Sequence, residues 1–171
     1  MARTPWFERK FSMAIPACDA AETVERLRGA PARVEEAVRG YPAGILIRRP
    51  GDTWSIQENV GHLLDLEPLW AMRSEQILAG DPGMAAADLE NTKTHEADHN
   101  SAEIGSLLAG FRAAREAWVA RLDGLAESDF SASLVHPRLN EPMRLVDLCE
   151  FVATHDDYHL ARMREVAAEV G

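Results

Sequence analysis

Residues 145–163 read LVDLCEFVATHDDYHLARM. Apolar residues recur through this stretch at helical spacing, which predicts an amphipathic helix. His155 and His159 are four residues apart, so they lie one turn apart on the apolar side of that helix. Two imidazoles this close can bind one metal ion, but histidines that pack in a core or form salt bridges show the same spacing. The pair predicts a metal site only if a third ligand exists elsewhere in the chain.

A third histidine stands in the segment TWSIQENVGHLL, residues 53–64. Ser55 and Glu58 have the spacing of a capping box, which predicts that a long amphipathic helix begins here. His62 then lies two turns inside that helix, near its apolar stripe.

Together the two segments resemble the DinB-like superfamily. The resemblance rests on a helix start of the form Trp-Ser-Ile-x-Glu-x-x-x-His-Leu, here Trp54 to Leu63, and on a C-terminal His-Asp-x-x-His helix, here His155 to His159. The two motifs stand in this order about ninety residues apart, which is more specific than either motif alone. Judged by the sequence of predicted helices, the resemblance extends over about residues 20–168.

The resemblance implies an all-α fold, an up-down-down-up four-helix bundle that is often dimeric. It also implies one divalent metal held by three histidines, which would be His62, His155 and His159. Three imidazoles suit zinc, nickel or iron. Such a site keeps open coordination positions, as catalytic metal sites do and closed structural sites do not.

Several functions are compatible with this site. A metal that lowers the pKa of a bound water would make the protein a hydrolase. A metal that holds the thiolate of a low-molecular-weight thiol would make it an S-transferase acting on a small electrophilic substrate, as the resemblance implies. The alternatives are a non-enzymatic, metal-binding, dimeric helical protein of a stress response, and a bundle without metal whose histidines bond to Glu58 and Asp65.

Three residues near the histidines are candidates for further roles. Glu58, one turn before His62, is a candidate general base or a residue that orients a ligand, although the capping box alone explains it equally well. Asp156 is expected either to steady a neighbouring histidine or to face solvent, and the adjacent Asp157 favours solvent. Arg162 stands where many members of the resembled family have glutamine, and it is expected to hold a carboxylate of the substrate.

The chain has three more histidines. His95 and His99 form a second pair four residues apart, in the polar segment 84–100. They lack apolar neighbours, so we expect them on a solvated face or a helix lead-in and regard them as the rival metal pair. His136 is expected at the surface or as an anchor of its loop.

Composition and charge exclude some functions. With 171 residues, 46% of them apolar and 6% aromatic, the chain fits one helical domain with a substantial core. A formal net charge of −10 argues against nucleic acid as a partner, because phosphate binding needs clustered Lys and Arg. No segment approaches the roughly twenty apolar residues of a membrane span, and charges interrupt the N-terminus, so we expect a cytoplasmic protein.

Hydrophobic periodicity and turn residues divide the chain into an N-terminal arm, residues 1–19, and a four-helix-bundle domain, residues 20–171. The arm is expected to pack on the bundle through its aromatic residues. Pro31 is expected to break or kink the first helix, and Pro68 to bend the second. Four helices are predicted at about 20–39, 54–79, 101–124 and 144–169, with loops of no regular structure at 45–53 and 128–143.

Overall fold

The computed structural model of the protein describes residues 3–171. The four long helices of this part are joined by two short helices and a β-hairpin. In chain order the elements are α1 (Ala20–Val38), α2 (Ala43–Leu46), α3 (Ile56–Ala79), α4 (Thr92–Glu96), α5 (Ile104–Asp123), β1 (Ser133–Val135), β2 (Pro142–Arg144) and α6 (Leu145–Val170), with 3₁₀ turns at Trp6–Glu8, Ala17–Asp19, His99–Ser101 and Glu127–Ser131. The four predicted helices are present within a few residues of their expected bounds.

The long helices form an up-down-down-up bundle. Helices α1 and α6 run parallel, because their first halves share one apolar cluster and their second halves share another. Helix α3 runs antiparallel to α6, since Trp70 contacts Phe151 while His62, further back along α3, contacts His159. Helices α3 and α5 run parallel, since Arg115 contacts Glu67 while Trp118, further along α5, donates to Ser74, further along α3. The predicted all-α bundle is confirmed.

Helix α3 begins as the sequence predicts. Ser55 Oγ accepts the backbone N–H of Glu58 at 3.1 Å, and the Glu58 carboxylate accepts the backbone N–H of Ser55 at 2.8 Å, which completes the capping box. The helix ends at Gly80, whose φ of 65° is the left-handed conformation that glycine adopts without strain.

Helix α1 continues through Pro31, so the expected break is absent. A proline in a helix leaves the carbonyl four residues earlier without its N–H donor, and here that carbonyl belongs to Leu27. The guanidinium of Arg115, on α5, donates to the Leu27 oxygen at 3.3 Å. A buried side chain from another helix therefore replaces the lost backbone donor. Helix α3 likewise continues through Pro68.

The connections contain more regular structure than predicted. The prediction of an irregular loop at 128–143 is wrong, because β1 and β2 pair antiparallel with Leu134 opposite Met143. Met143 is fully buried, so the hairpin has one face anchored in the core, and Pro142 lies at the end of a strand where its missing N–H is tolerated. The predicted loop at 45–53 also begins inside α2.

The long crossover between α3 and α5 is pressed against α3. A β-carbon at Gly61 would overlap the ring of His99, so only glycine permits this approach. The crossover thereby becomes one wall of the region around His62. Within residues 3–171, no helix is both long enough and apolar enough to cross a membrane.

Candidate metal centre

The antiparallel packing of α3 and α6 brings the three motif histidines together. One nitrogen from each of His62, His155 and His159 lies within 4.8 Å of the others, and all three side chains are buried. The ring centroids are 5.3 Å apart for His62 and His155, and 4.5 Å apart for His155 and His159. Three imidazoles that converge in this way match the donor set of an open metal site.

A hydrogen bond fixes the orientation of His62. Its Nδ1 lies 3.1 Å from Thr94 Oγ1, and that hydroxyl donates its own proton to Asp65 Oδ2 at 2.9 Å. The hydroxyl must therefore accept the proton of His62 Nδ1, which leaves Nε2 with a free lone pair. Outer partners of this kind orient metal-binding histidines.

His159 is held in the same way by an amide. Its Nδ1 lies 2.8 Å from Asn59 Oδ1, and the Asn59 amide nitrogen donates to the Ser55 carbonyl at 2.7 Å. The second contact shows which end of the amide faces the ring, so Nδ1 of His159 carries the proton and Nε2 is free. Asn59 comes from the capping segment of α3, so the local start of that helix also orients a histidine of α6.

His155 differs from the other two histidines. Its Nδ1 is buried and has no hydrogen-bond partner among residues 3–171. An unpaired buried nitrogen is costly, and a metal ion or a ligand would supply the missing contact.

The three histidines are neutral at physiological pH. Burial lowers the pKa of His62 to about 4. Burial, together with the neighbouring imidazoles, lowers the pKa of His155 and of His159 well below its ordinary value. A neutral imidazole offers the lone pair that a metal needs, so the residues present fit a divalent cation.

The histidines line a cavity of about 580 Å³, a volume that suits a small molecule. Its apolar wall is aromatic and includes Trp54, Trp70 and Phe151. The N-terminal arm closes one side, as expected of a packed segment: the Trp6 ring lies edge-on to His155, 4.9 Å between centroids. The arm is tied to α6 by Arg3, whose guanidinium pairs with Glu165 at 2.8 Å.

Glu58 and Arg162 occupy different places relative to this cavity. Within residues 3–171, Glu58 is not part of the cavity wall; its carboxylate accepts the Ser55 backbone N–H and pairs with Arg49. Burial opposes ionisation of Glu58, but the Arg49 guanidinium and the hydrogen bonds from Ser55 and Asn100 together outweigh it and lower the pKa of the carboxyl. Arg162 does line the cavity, and it donates to Glu165 at 3.2 Å.

The rival pair of histidines is divided by the fold. His95 is exposed, as expected, whereas the expectation that His99 is solvated is wrong. His99 is buried and its Nε2 lies 2.8 Å from Asp65 Oδ2, because the crossover folds it over Gly61. Among the described residues, the three-residue group that could hold a metal is the cluster of His62, His155 and His159, without either member of the rival pair.

Two other expectations require correction. Asp156 does not face solvent: it is fully buried and pairs with Arg115 at 2.6 Å, since α6 is covered by α1 and α5 on that side. His136 anchors its loop, as one alternative had it, but it is buried in the cavity wall rather than placed at the surface.

Some residues of the site were missed in the sequence. Asn59 and Thr94 hold histidines, and Arg73 and Arg138 line the cavity. Arg73 follows His62 by three helical turns, so it shares the His62 face of α3, and a charged residue on that face was an available signal. Thr94 and Arg138 lie in connections, where no periodicity indicates the direction of a side chain.

The protein is thus an all-α bundle in which two antiparallel helices bring three histidines together at an aromatic cavity. The chain belongs to the DinB superfamily, whose sequence model matches residues 26–163. Among solved structures, it is similar to YfiT from Bacillus subtilis, with a TM-score of 0.81 and 23% identity over 94% of this chain and 92% of that chain. YfiT is described as a probable metal-dependent hydrolase with an unusual four-helix bundle topology. A comparison with curated proteins gives no significant match.

Proposed function

We propose that the protein is a metal-dependent enzyme that acts on a small molecule, with zinc, nickel or iron bound by His62, His155 and His159. The observation that carries the proposal is the convergence of three buried, neutral imidazoles on one cavity. Two of the rings have a free Nε2 set by outer hydrogen bonds, and the third has an unpaired Nδ1. A core histidine without a ligand would be expected to have both nitrogens paired.

The bound metal would act as a Lewis acid that lowers the pKa of water or of a thiol at its open position. The chain prepares that position, because Asn59 and Thr94 keep the tautomers of two of the proposed ligands. Neither cysteine contributes to the cavity wall, since Cys149 is buried elsewhere in the core and Cys18 is exposed. The thiol of a transfer reaction would therefore come from outside the chain.

The reaction we propose first is transfer of a low-molecular-weight thiol to an electrophilic substrate, following the family resemblance. The second candidate is hydrolysis, which the description of YfiT favours. In either reaction Arg162, at the cavity wall, is proposed to hold a carboxylate of the substrate, and Glu58 to act as a base or to support the metal-binding helix. The resemblance also supports a cytoplasmic homodimer.

Metal binding is the first part of the proposal to test. Chelator-treated protein titrated calorimetrically should bind one metal per chain, and His62→Ala, His155→Ala and His159→Ala should each weaken binding by well over tenfold. His95→Ala is the control, because that exposed histidine lies outside the cluster. Circular dichroism checks that each variant is folded. Failure of the wild type to bind metal, or equal binding by the cluster variants, would overturn the proposal.

The reaction is tested on the metal-loaded protein. Consumption of an electrophile such as chlorodinitrobenzene that requires added thiol supports transfer, and hydrolysis of an activated amide or ester without thiol supports the second candidate. The His155→Ala variant serves as the metal-deficient control in both assays.

A further inference from the structure

Arginines line the same cavity without acidic partners. Arg73, on α3, is 1% exposed, and its Nε donates to the Ala85 carbonyl at 2.9 Å. Among residues 3–171, no carboxylate forms an ion pair with Arg73 or with Arg138. By contrast, Arg162 in the same wall pairs with Glu165. A buried guanidinium without a counter-charge is costly, and burial accordingly lowers the pKa of Arg73 to about 10.

His136 presents an N–H group, not a nitrogen lone pair, to Arg73. Its Nδ1 accepts the backbone N–H groups of Arg138 and Leu139, each at 3.2 Å. The neutral ring therefore carries its proton on Nε2, and that atom lies 3.3 Å from Arg73 Nη1. Two donors face each other with no acceptor between them.

Arg138 lines the same cavity, and in addition to burial its charge contributes to lowering the pKa of both Arg73 and His136, so it is near them. Its Nη2 is buried and has no hydrogen-bond partner among the described residues. Asp52 and Asp88 also line the cavity, but neither forms an ion pair with these arginines, and the Asp88 carboxylate accepts the backbone N–H groups of Glu90 and Thr92. The donors of Arg73, His136 and Arg138 therefore share one missing partner, an acceptor that carries negative charge.

We propose that Arg73, His136 and Arg138 form a subsite for an oxyanion, the carboxylate or phosphate group of a ligand that enters the cavity. Guanidinium groups bind both anions through paired N–H donors, and these hydrogen bonds are stronger than neutral ones. A bound oxygen would accept from Arg73 and from His136 at once, which explains why two donors are held so close together.

The position of this subsite relative to the histidines indicates the kind of ligand. The indole of Trp70 is close to both, 5.9 Å from the His155 ring and 5.5 Å from Arg73 Cζ. Both groups line the same cavity as Trp70. We therefore assign the oxyanion to the tail of the ligand, with an apolar body lying along Trp70 and the reacting group at the histidines. This placement of the reacting group rests on the proposed function; the anion subsite does not require the metal.

The test measures anion binding to chelator-treated protein. Inorganic phosphate and phenylacetate, a carboxylate with an apolar body, are titrated calorimetrically and by tryptophan fluorescence. We expect at least one of them to bind, and Arg73→Gln and Arg138→Gln each to weaken that binding by about tenfold or more. Phosphate binding alone assigns a phosphorylated ligand, and phenylacetate binding alone assigns a carboxylated one.

Two controls keep the result specific. Arg121→Gln, on the surface of α5 where Arg121 pairs with Glu75, should leave anion affinity unchanged. Arg138→Gln changes a half-buried side chain in a loop, so it remains informative if Arg73→Gln fails to fold. Absence of binding of both anions to the wild type, or equal binding by Arg138→Gln and the wild type, would overturn the subsite. Metal titration of the same variants separates this result from the proposed function, because loss of the anion subsite should leave metal binding by the three histidines unchanged.

Discussion

Adjacent residues of α6, His155 and Asp156, belong to two buried polar clusters of opposite character. Asp156 lies in the first, where Arg115 donates to Asp156, to Glu67 and to the Leu27 carbonyl. The side chains of Arg115, Glu67 and Asp156 are at most 2% exposed, and all guanidinium nitrogens have partners. Burial raises the pKa of Glu67 to about 7, so uptake of one proton brings this cluster close to neutrality. It is complete without a ligand.

The second cluster, around His155, is incomplete. Its imidazoles are neutral, their free nitrogens converge, and they open onto a cavity that also contains unpaired guanidinium donors. Both clusters are buried, so burial alone does not distinguish a structural polar cluster from a functional one. The distinction lies in whether the buried donors and acceptors have partners within the chain.

The largest expected effect breaks the complete cluster. Arg115→Met leaves two carboxylates buried without their counter-charge, so we expect a loss of about 3–5 kcal/mol in the free energy of unfolding, measured with urea. Arg121→Met on the same helix is the matched control, because its ion pair with Glu75 is exposed and contributes at most about 1 kcal/mol. A loss below that of the control would show that the Arg115 cluster is not structural.

A second prediction tests the histidine cluster with a substitution that leaves all three proposed metal ligands unchanged. Asn59→Leu removes the acceptor that orients His159, and we expect metal affinity to fall by about 10–100-fold, measured by calorimetric titration. Asn59→Asp keeps an acceptor oxygen for the ring but loses the donor to the Ser55 carbonyl, so we expect a smaller loss of affinity than in Asn59→Leu. If Asn59→Leu binds metal as tightly as the wild type, the orienting role is wrong.

The third prediction, with the smallest change in stability, concerns the response of His136 to pH. Burial lowers the pKa of His136 to about 4, below the value of about 6.5 expected in the unfolded chain. The unfolded state therefore takes up a proton first, and the stability contributed by neutral His136 is complete above pH 6.5 and lost as the pH falls towards 4. We expect about 1 kcal/mol less stability at pH 5.5 than at pH 7 from this group.

The stability change due to His136 is obtained as the difference between the wild type and a His136 variant, because the stability contributed by Glu67 changes with pH in the opposite direction. Its raised pKa makes the folded state take up a proton first, so its contribution to stability falls as the pH rises towards 7. Subtracting the pH profile of His136→Gln from that of the wild type isolates the histidine. A difference that does not change between pH 7 and pH 5 would contradict the assignment of His136 as a buried neutral ring.

Much of the fold was predictable because its signals are local. The capping box of Ser55 and Glu58 marks the start of α3, and the spacing of His155 and His159 depends only on the helical repeat. The hairpin was missed because strands of three residues show too little alternation to identify them. The continuation of α1 through Pro31 was missed because the replacing donor, Arg115, comes from a distant helix.

By itself, the sequence determined the helical class of the protein, the start of α3, and the three histidines that two motifs carry. These follow from periodicities and caps that act within a few residues of chain. Tertiary packing buries Asp156 while it leaves His155 at a cavity, folds His99 over Gly61, and places Arg73 against His136 in the wall that Arg138 also lines. The physical reason is that a side chain's partners are set by which helices and loops pack around it, and the spacing of residues along one helix does not contain that information.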